Sequence, residues 1–120
     1  MPVSVVFESK QLVRVHATGV LTRAEVDDTK RLMFAHMMEH GVQHLLFFIE
    51  PDFGQLQAFA NWDDIPEDRF IQQHVVRLAL VGDMRWRDQA LLFFLSGLVP
   101  FQIEYFNADQ EEFARAWLLG

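Results

Sequence analysis

Cysteine is absent from the 120 residues, which excludes a disulfide framework, a thiolate zinc site and a cysteine nucleophile. Positive charge is scarce. Ten Lys and Arg stand against 17 Asp and Glu, a formal net charge of −7. A phosphate backbone is repelled on average, and no Lys/Arg run offers a local exception, so no nucleic acid partner is expected. An anionic membrane surface is disfavoured for the same reason. Long apolar runs are also missing: the stretch from Ala90 to Phe101 is broken by Ser96, Gly97 and Pro100, far short of the ~20 residues of a transmembrane segment. Met1-Pro2-Val3-Ser4 places no charged region before an apolar run, so no signal peptide is expected and the cytoplasm is the expected compartment. Serine is limited to Ser4, Ser9 and Ser96, none in a Gly-x-Ser-x-Gly elbow, which leaves Ser-His-acid hydrolysis without support. Neither Gly-x-Gly-x-x-Gly nor a P-loop occurs, so nucleotide binding has none either.

What is present is globular. Hydrophobic residues make up 51% and charged residues 22%, and a chain of this size buries roughly two-thirds of its unfolded surface. Strand and helix signals alternate without a linker, which predicts one domain over residues 1–120. Val3, Val5 and Phe7, then Val13, Val15 and Ala17, alternate with polar positions around a turn at Glu8-Ser9-Lys10, predicting a hairpin. Thr22-Arg23-Ala24-Glu25 fits a capping box. The helix it opens carries Val26, Met33 and Met37 inward, Phe34 at the margin, an Asp27–Arg31 pair outside, and Gly41 as its stop. Leu45 to Ile49 is continuously apolar, as in a strand covered on both faces. A short helix with Leu56, Phe59 and Ala60 ends before Pro66, and another starts at Asp64-Ile65-Pro66-Glu67 with Phe70 and Ile71 inward. Leu78, Leu80 and Val81 mark the next strand, and Asp83 caps a helix from about Met84 to Ser96. Phe101, Ile103 and Tyr105 form the last strand. Asp109 caps the last helix, whose inner stripe is Phe113, Ala116 and Trp117. The order is β-β-α-β-α-β-α-β-α, an α/β fold with a five-stranded mixed sheet and helices packed on it.

The string Leu78-Ala79-Leu80-Val81-Gly82-Asp83-Met84-Arg85-Trp86 resembles the strand, Val-Gly-Asp, two residues, Trp signature of the bacterial SpoIIAA-like family. Gly19-Val20-Leu21-Thr22, Glu39-His40-Gly41, and Glu104-Tyr105-Phe106 through Asp109 to Trp117-Leu118 fall where that family has similar pieces. The resemblance spans nearly the whole chain. It implies the STAS fold of anti-sigma-factor antagonists and a relation to lipid-binding CRAL-TRIO domains, with no activity to carry over. STAS antagonists are switched by phosphorylation of a Ser or Thr at the start of the helix after the third strand. Here that place reads Pro51-Asp52-Phe53-Gly54-Gln55, and no hydroxyl occurs from Phe47 to Val75, so a phosphate switch there has no acceptor.

His36, His40 and His44 are spaced by four, yet Gly41 separates the third from the helix and no further ligand is apparent, so no metal is expected. The pairs Asp27-Asp28, Asp63-Asp64 and Glu111-Glu112 are adjacent, so their side chains diverge and read as solvated. No catalytic residue and no cofactor emerge; an enzyme using a His or Asp83 as acid–base is the weakest class. The aromatics are richer, with 12 Phe and 3 Trp. Phe53, Phe59, Trp62, Phe70, Trp86, Phe93 and Phe94 follow the third and fourth strands, beside the carboxyl ends where α/β sheets bind ligands. They read either as plain core or as a cleft for an apolar ligand with a polar head. The ligand reading makes Phe53, Phe59, Trp62, Asp83, Trp86, Phe93 and Phe94 the candidate site, with Trp86 as one wall and Phe53 and Trp62 opposite. Ala90 to Leu95 is apolar on almost every side of a helix, more than one buried face requires. The Ala90–Phe101 region is therefore expected to meet a ligand, a second copy or a regulatory protein. The expectation is non-enzymatic binding of a small, largely apolar or amphiphilic molecule; the alternative is a protein–protein regulatory module without a phosphorylatable Ser or Thr.

Overall fold

Successive side chains of a strand point to opposite faces, so Val13, Val15 and Ala17 join one core while Leu12 joins another. The computed structural model describes residues 3–51, 53–56 and 65–120. Its strands are β1 (Val3–Ser9), β2 (Leu12–Ala17), β3 (Val20–Leu21), β4 (Gln43–Ile49), β5 (Gln55–Leu56), β6 (Val75–Gly82) and β7 (Gln102–Asn107). Its helices are α1 (Arg23–His40), α2 (Glu67–Gln73), α3 (Arg87–Phe93) and α4 (Glu111–Leu119). A five-stranded mixed sheet runs β1-β2-β4-β6-β7, with β1 antiparallel to β2 and the other pairs parallel. Helices α1, α2 and α3 supply Val26, Met33, Met37, Ile71, Phe93 and Phe94 to the larger core on one face. Helix α4 supplies Ala114 and Leu118 to a smaller core on the other. Each such fully buried large side chain contributes about 1.5–3 kcal/mol.

The predicted ends of α1 are present. Thr22 Oγ1 accepts from the Glu25 amide at 3.3 Å, and Glu25 Oε1 accepts from the Thr22 amide at 3.2 Å. The Gly41 amide closes the helix on Met37 O, with φ at 81°, a conformation that glycine adopts at little cost. The outer Asp27–Arg31 pair is not formed: Arg23 approaches Asp27 at 3.8 Å, and Arg31 reaches Glu67 on α2 at 3.2 Å. Packing of α1 beside α2 offers Arg31 the other carboxylate.

Other expectations shift. The hairpin turn sits at Lys10-Gln11, with a register slip between Phe7 and Ser9. Leu56 belongs not to a helix but to β5, which pairs in parallel with β3; two-residue strands leave no periodicity to read. Phe59, Ala60, Trp62 and Asp64 lie outside the described residues.

The stretch predicted as one helix from Met84 to Ser96 is a 3₁₀ turn, Met84–Trp86, followed by α3. It ends early because the Ser96 amide bonds Leu91 O and the Leu95 amide bonds Leu92 O, a Schellman closure. The left-handed position is taken by Leu95, at φ 55°, and no glycine announces it. The last helix also begins differently. Asp109 caps nothing; Gln110 stands at the N-cap without a side-chain cap bond, and its Oε1 accepts from the Asn107 amide at 3.0 Å. The inner stripe is Ala114 and Leu118, with Trp117 half-buried, Ala116 exposed and Phe113 67% exposed. Arg77 Nη1, which donates to Trp117 O at 2.6 Å, lies beneath the indole, 5.4 Å from guanidinium carbon to ring. Among the described residues no helix is long and apolar enough to cross a membrane.

Candidate functional site

Beyond the carboxyl ends of β4 and β6 the chain is held by its own amides. The Glu50 amide bonds Ala17 O at 3.0 Å, the Phe53 amide bonds Glu50 O at 2.9 Å, and the Gly54 amide bonds Gly19 O at 2.8 Å. These bonds carry Phe53 inward, where it is 7% exposed. After β6, the Asp83 carboxylate accepts from the Arg85 amide at 2.9 Å, and the Trp86 amide bonds Asp83 O at 3.1 Å. This tight turn brings the indole edge-to-face against Phe53, 4.9 Å between centroids, a favoured aromatic geometry.

A cavity of about 60 Å³ lies beside this pair. Ala17, Phe47 and Ile49 of the sheet form its floor, and Val26, Lys30 and Met33 of α1 form one side. Trp86, Phe93 and Phe94 close the other, with Thr29 and Gln89 as its neutral polar neighbours. Phe94 stands edge-on to Phe93 at 4.7 Å and to Phe47 at 5.4 Å. Of the predicted site residues, Phe53, Trp86, Phe93 and Phe94 therefore converge on one cavity. Asp83 does not line it: its side chain is exposed and caps the turn. Phe59 and Trp62 lie outside the described residues.

Sequence reasoning missed the charged member. Lys30 Nζ bonds Asp68 Oδ2 at 2.9 Å, with the two side chains 1% and 0% exposed. The same oxygen accepts from the Ile65 amide at 3.2 Å, and the ammonium stands 5.8 Å from the Phe93 ring centroid. The signal was available. Val26, Lys30, Met33 and Met37 are spaced as one inner helical stripe, and all four are buried. A lysine in that stripe must find a partner or stay wet.

The neighbouring Tyr105 hydroxyl donates to Asp83 O at 2.7 Å. Burial, reinforced by the Asp83 charge, pushes its pKa up to about 12. Gly82 passes so close to Ile49 that a Cβ would lie 2.9 Å from the Ile49 Cβ and from the Tyr105 hydroxyl.

The opposite face of the sheet, beyond α4, is polar around β1 and β2. His16 Nδ1 bonds Glu50 Oε1, its ring stacks on Phe48 at 4.6 Å, and Ser4 is its cross-strand partner. No hydrogen bond among the described residues joins Ser4 to His16. Glu8 bridges Arg14 and Arg115; the bond from Arg115 holds its carboxyl below the usual range. His36 stacks on Phe7 at 4.0 Å and lies 4.6 Å from the His40 ring. His44 sits on β4 with Nδ1 at 3.2 Å from Gln11 O. Among the described residues no group of three or more His, Cys, Asp or Glu could hold a metal ion.

The SpoIIAA-like family model matches residues 12–119, all but the first eleven residues and the last. The chain belongs to the SpoIIAA-like family. Its fold is similar to that of a Shewanella loihica PV-4 protein described as an uncharacterized protein from the DUF3478 family with a SpoIIAA-like fold. The TM-score is 0.69 at 20% identity, covering 97% of this chain and 93% of that one. No curated protein matches the chain. The SpoIIAA-like segment Val81-Gly82-Asp83-Met84-Arg85-Trp86 now has a physical reading. Gly82 permits the close approach of β4 and β7, Asp83 caps the turn, and Trp86 walls the cavity.

Proposed function

We propose that this SpoIIAA-like protein is a non-enzymatic binding module for a small, largely apolar molecule carrying one polar group. The observation that carries the reading is the cavity beside Trp86, walled by aromatic and aliphatic side chains with, among the described residues, a single charged one, Lys30. Convergent apolar walls with few polar groups are what small-molecule sites share. Lipid binding by CRAL-TRIO domains, to which the sequence resemblance implies a relation, is in keeping with this reading. Size narrows the ligand. At about 60 Å³ the cavity is less than half of the roughly 150 Å³ that holds benzene in an engineered apolar cavity. A medium-chain fatty acid would need the walls to part.

Trp86 provides the test. With Trp62 and Trp117 replaced by Phe, a bound apolar molecule should shift the remaining fluorescence and raise the melting temperature with concentration, because it binds only the folded state. Trp86→Ala should abolish the melting shift. A panel of short alcohols, amides and acids that changes neither signal would remove the reading.

A second reading, a regulatory protein–protein module, draws on the surface of the Ala90–Phe101 region. Leu92 and Leu98 are 75% and 82% exposed there, and a second copy or another protein would cover them. Such a module would work without a phosphate acceptor between Phe47 and Val75.

A further inference from the structure

We infer that the cavity selects an uncharged polar head group, an amide, alcohol or carbonyl, over a carboxylate. The inference rests on the ligand-binding reading and specifies its chemistry. Among the described residues Lys30 is the one charged side chain on the cavity wall, and at first sight it invites an anion. Its ammonium is already met by Asp68 at 2.9 Å, and both groups are out of water.

A second carboxylate brought to Lys30 would meet an ammonium whose charge the Asp68 carboxylate, 2.9 Å away, already offsets, so it gains less attraction. Its lost hydration would then go uncompensated, which is the dominant cost of burying a charge. The net charge of −7 adds repulsion at longer range. A neutral oxygen or amide suffers neither effect. It can accept from a cationic or hydroxyl donor and gives up far less hydration. The surface the cavity presents is almost wholly apolar, and Thr29 and Gln89, which border it, are uncharged.

The chain's use of cations fits this assignment. It has two lysines, Lys10 and Lys30, and eight arginines, and the lysine on α1 is the one placed inside. A point-charge donor on a flexible stem can keep Asp68 while turning toward a small acceptor, which a planar guanidinium does less readily.

Propionamide and propionate test the inference, since they share shape and differ in charge. The five methionines allow ¹³C-methyl labelling, with Met33 on the cavity wall and Met38, 63% exposed, as the control. At pH 7.5 propionamide should shift the Met33 methyl and bind at least tenfold more tightly than propionate. Asp68→Asn, which removes the carboxylate 2.9 Å from Lys30, should narrow that preference where the variant still melts cooperatively. Equal or tighter binding of propionate to the unmodified protein would overturn the inference while leaving the cavity a ligand site. Failure of both probes to move Met33 would overturn the ligand reading and the inference with it.

Discussion

The Tyr105 hydroxyl on β7 donates to the main-chain carbonyl of Asp83 at 2.7 Å, tying the edge strand to the turn that opens the cavity wall. Because burial and the Asp83 charge push the Tyr105 pKa up to about 12, against about 10 for an unfolded tyrosine, the folded state holds this proton more tightly. Its contribution to stability is present below about pH 10 and is lost as the pH rises toward 12. The urea midpoint of the natural protein should therefore fall more steeply over that range than that of Tyr105→Phe. Parallel curves for the two proteins would mean that the hydroxyl is not held as described.

Gly82 should tolerate no side chain. A Cβ would lie 2.9 Å from the Ile49 Cβ, an atom fixed to the β4 backbone that cannot swing away. Gly82→Ala is expected to cost about 1–3 kcal/mol through overpacking, measured by urea unfolding. Gly97→Ala, at φ 86° with nothing within 4 Å of the added carbon, should cost only backbone strain, about 1 kcal/mol. A Gly82→Ala loss no larger than that of Gly97→Ala would contradict the close approach.

The two predicted caps should now behave differently. Thr22→Ala removes a side-chain bond to the Glu25 amide and should cost about 1 kcal/mol. Asp109 caps nothing, so Asp109→Ala should stay within about 0.5 kcal/mol of the natural protein. Equal losses in denaturant unfolding would return Asp109 to the role that the sequence suggests.

The succession of the five long strands, the parallel direction of the later ones and the ends of α1 were legible in the sequence; the strand order was not. They rest on local physics: period-two alternation in β2, an inner stripe at Val26, Met33 and Met37, a capping box at Thr22, and glycine at Gly41. The meeting of Phe53 and Trp86 was legible for a related reason, because both follow the carboxyl ends of neighbouring parallel strands.

What stayed hidden depends on contacts between distant segments. Leu95 occupies a left-handed position although the signal there, glycine, comes two residues later. The half-buried leucine packs on the core, so tertiary contact outweighs local preference. Phe113 faces water while Ala114 and Leu118 face the sheet, because the strand rows beneath α4 set its rotation. The Lys30–Asp68 pair joins residues 38 apart. The helical stripe could show that Lys30 points inward, but only the docking of α2 on α1 decides which carboxylate meets it. By itself the sequence determined where the long strands run, which stripe of α1 is buried and which family the chain resembles. The tertiary structure alone decided where the buried charge sits beside the cavity, since pairing of a desolvated ion depends on distance in space rather than along the chain.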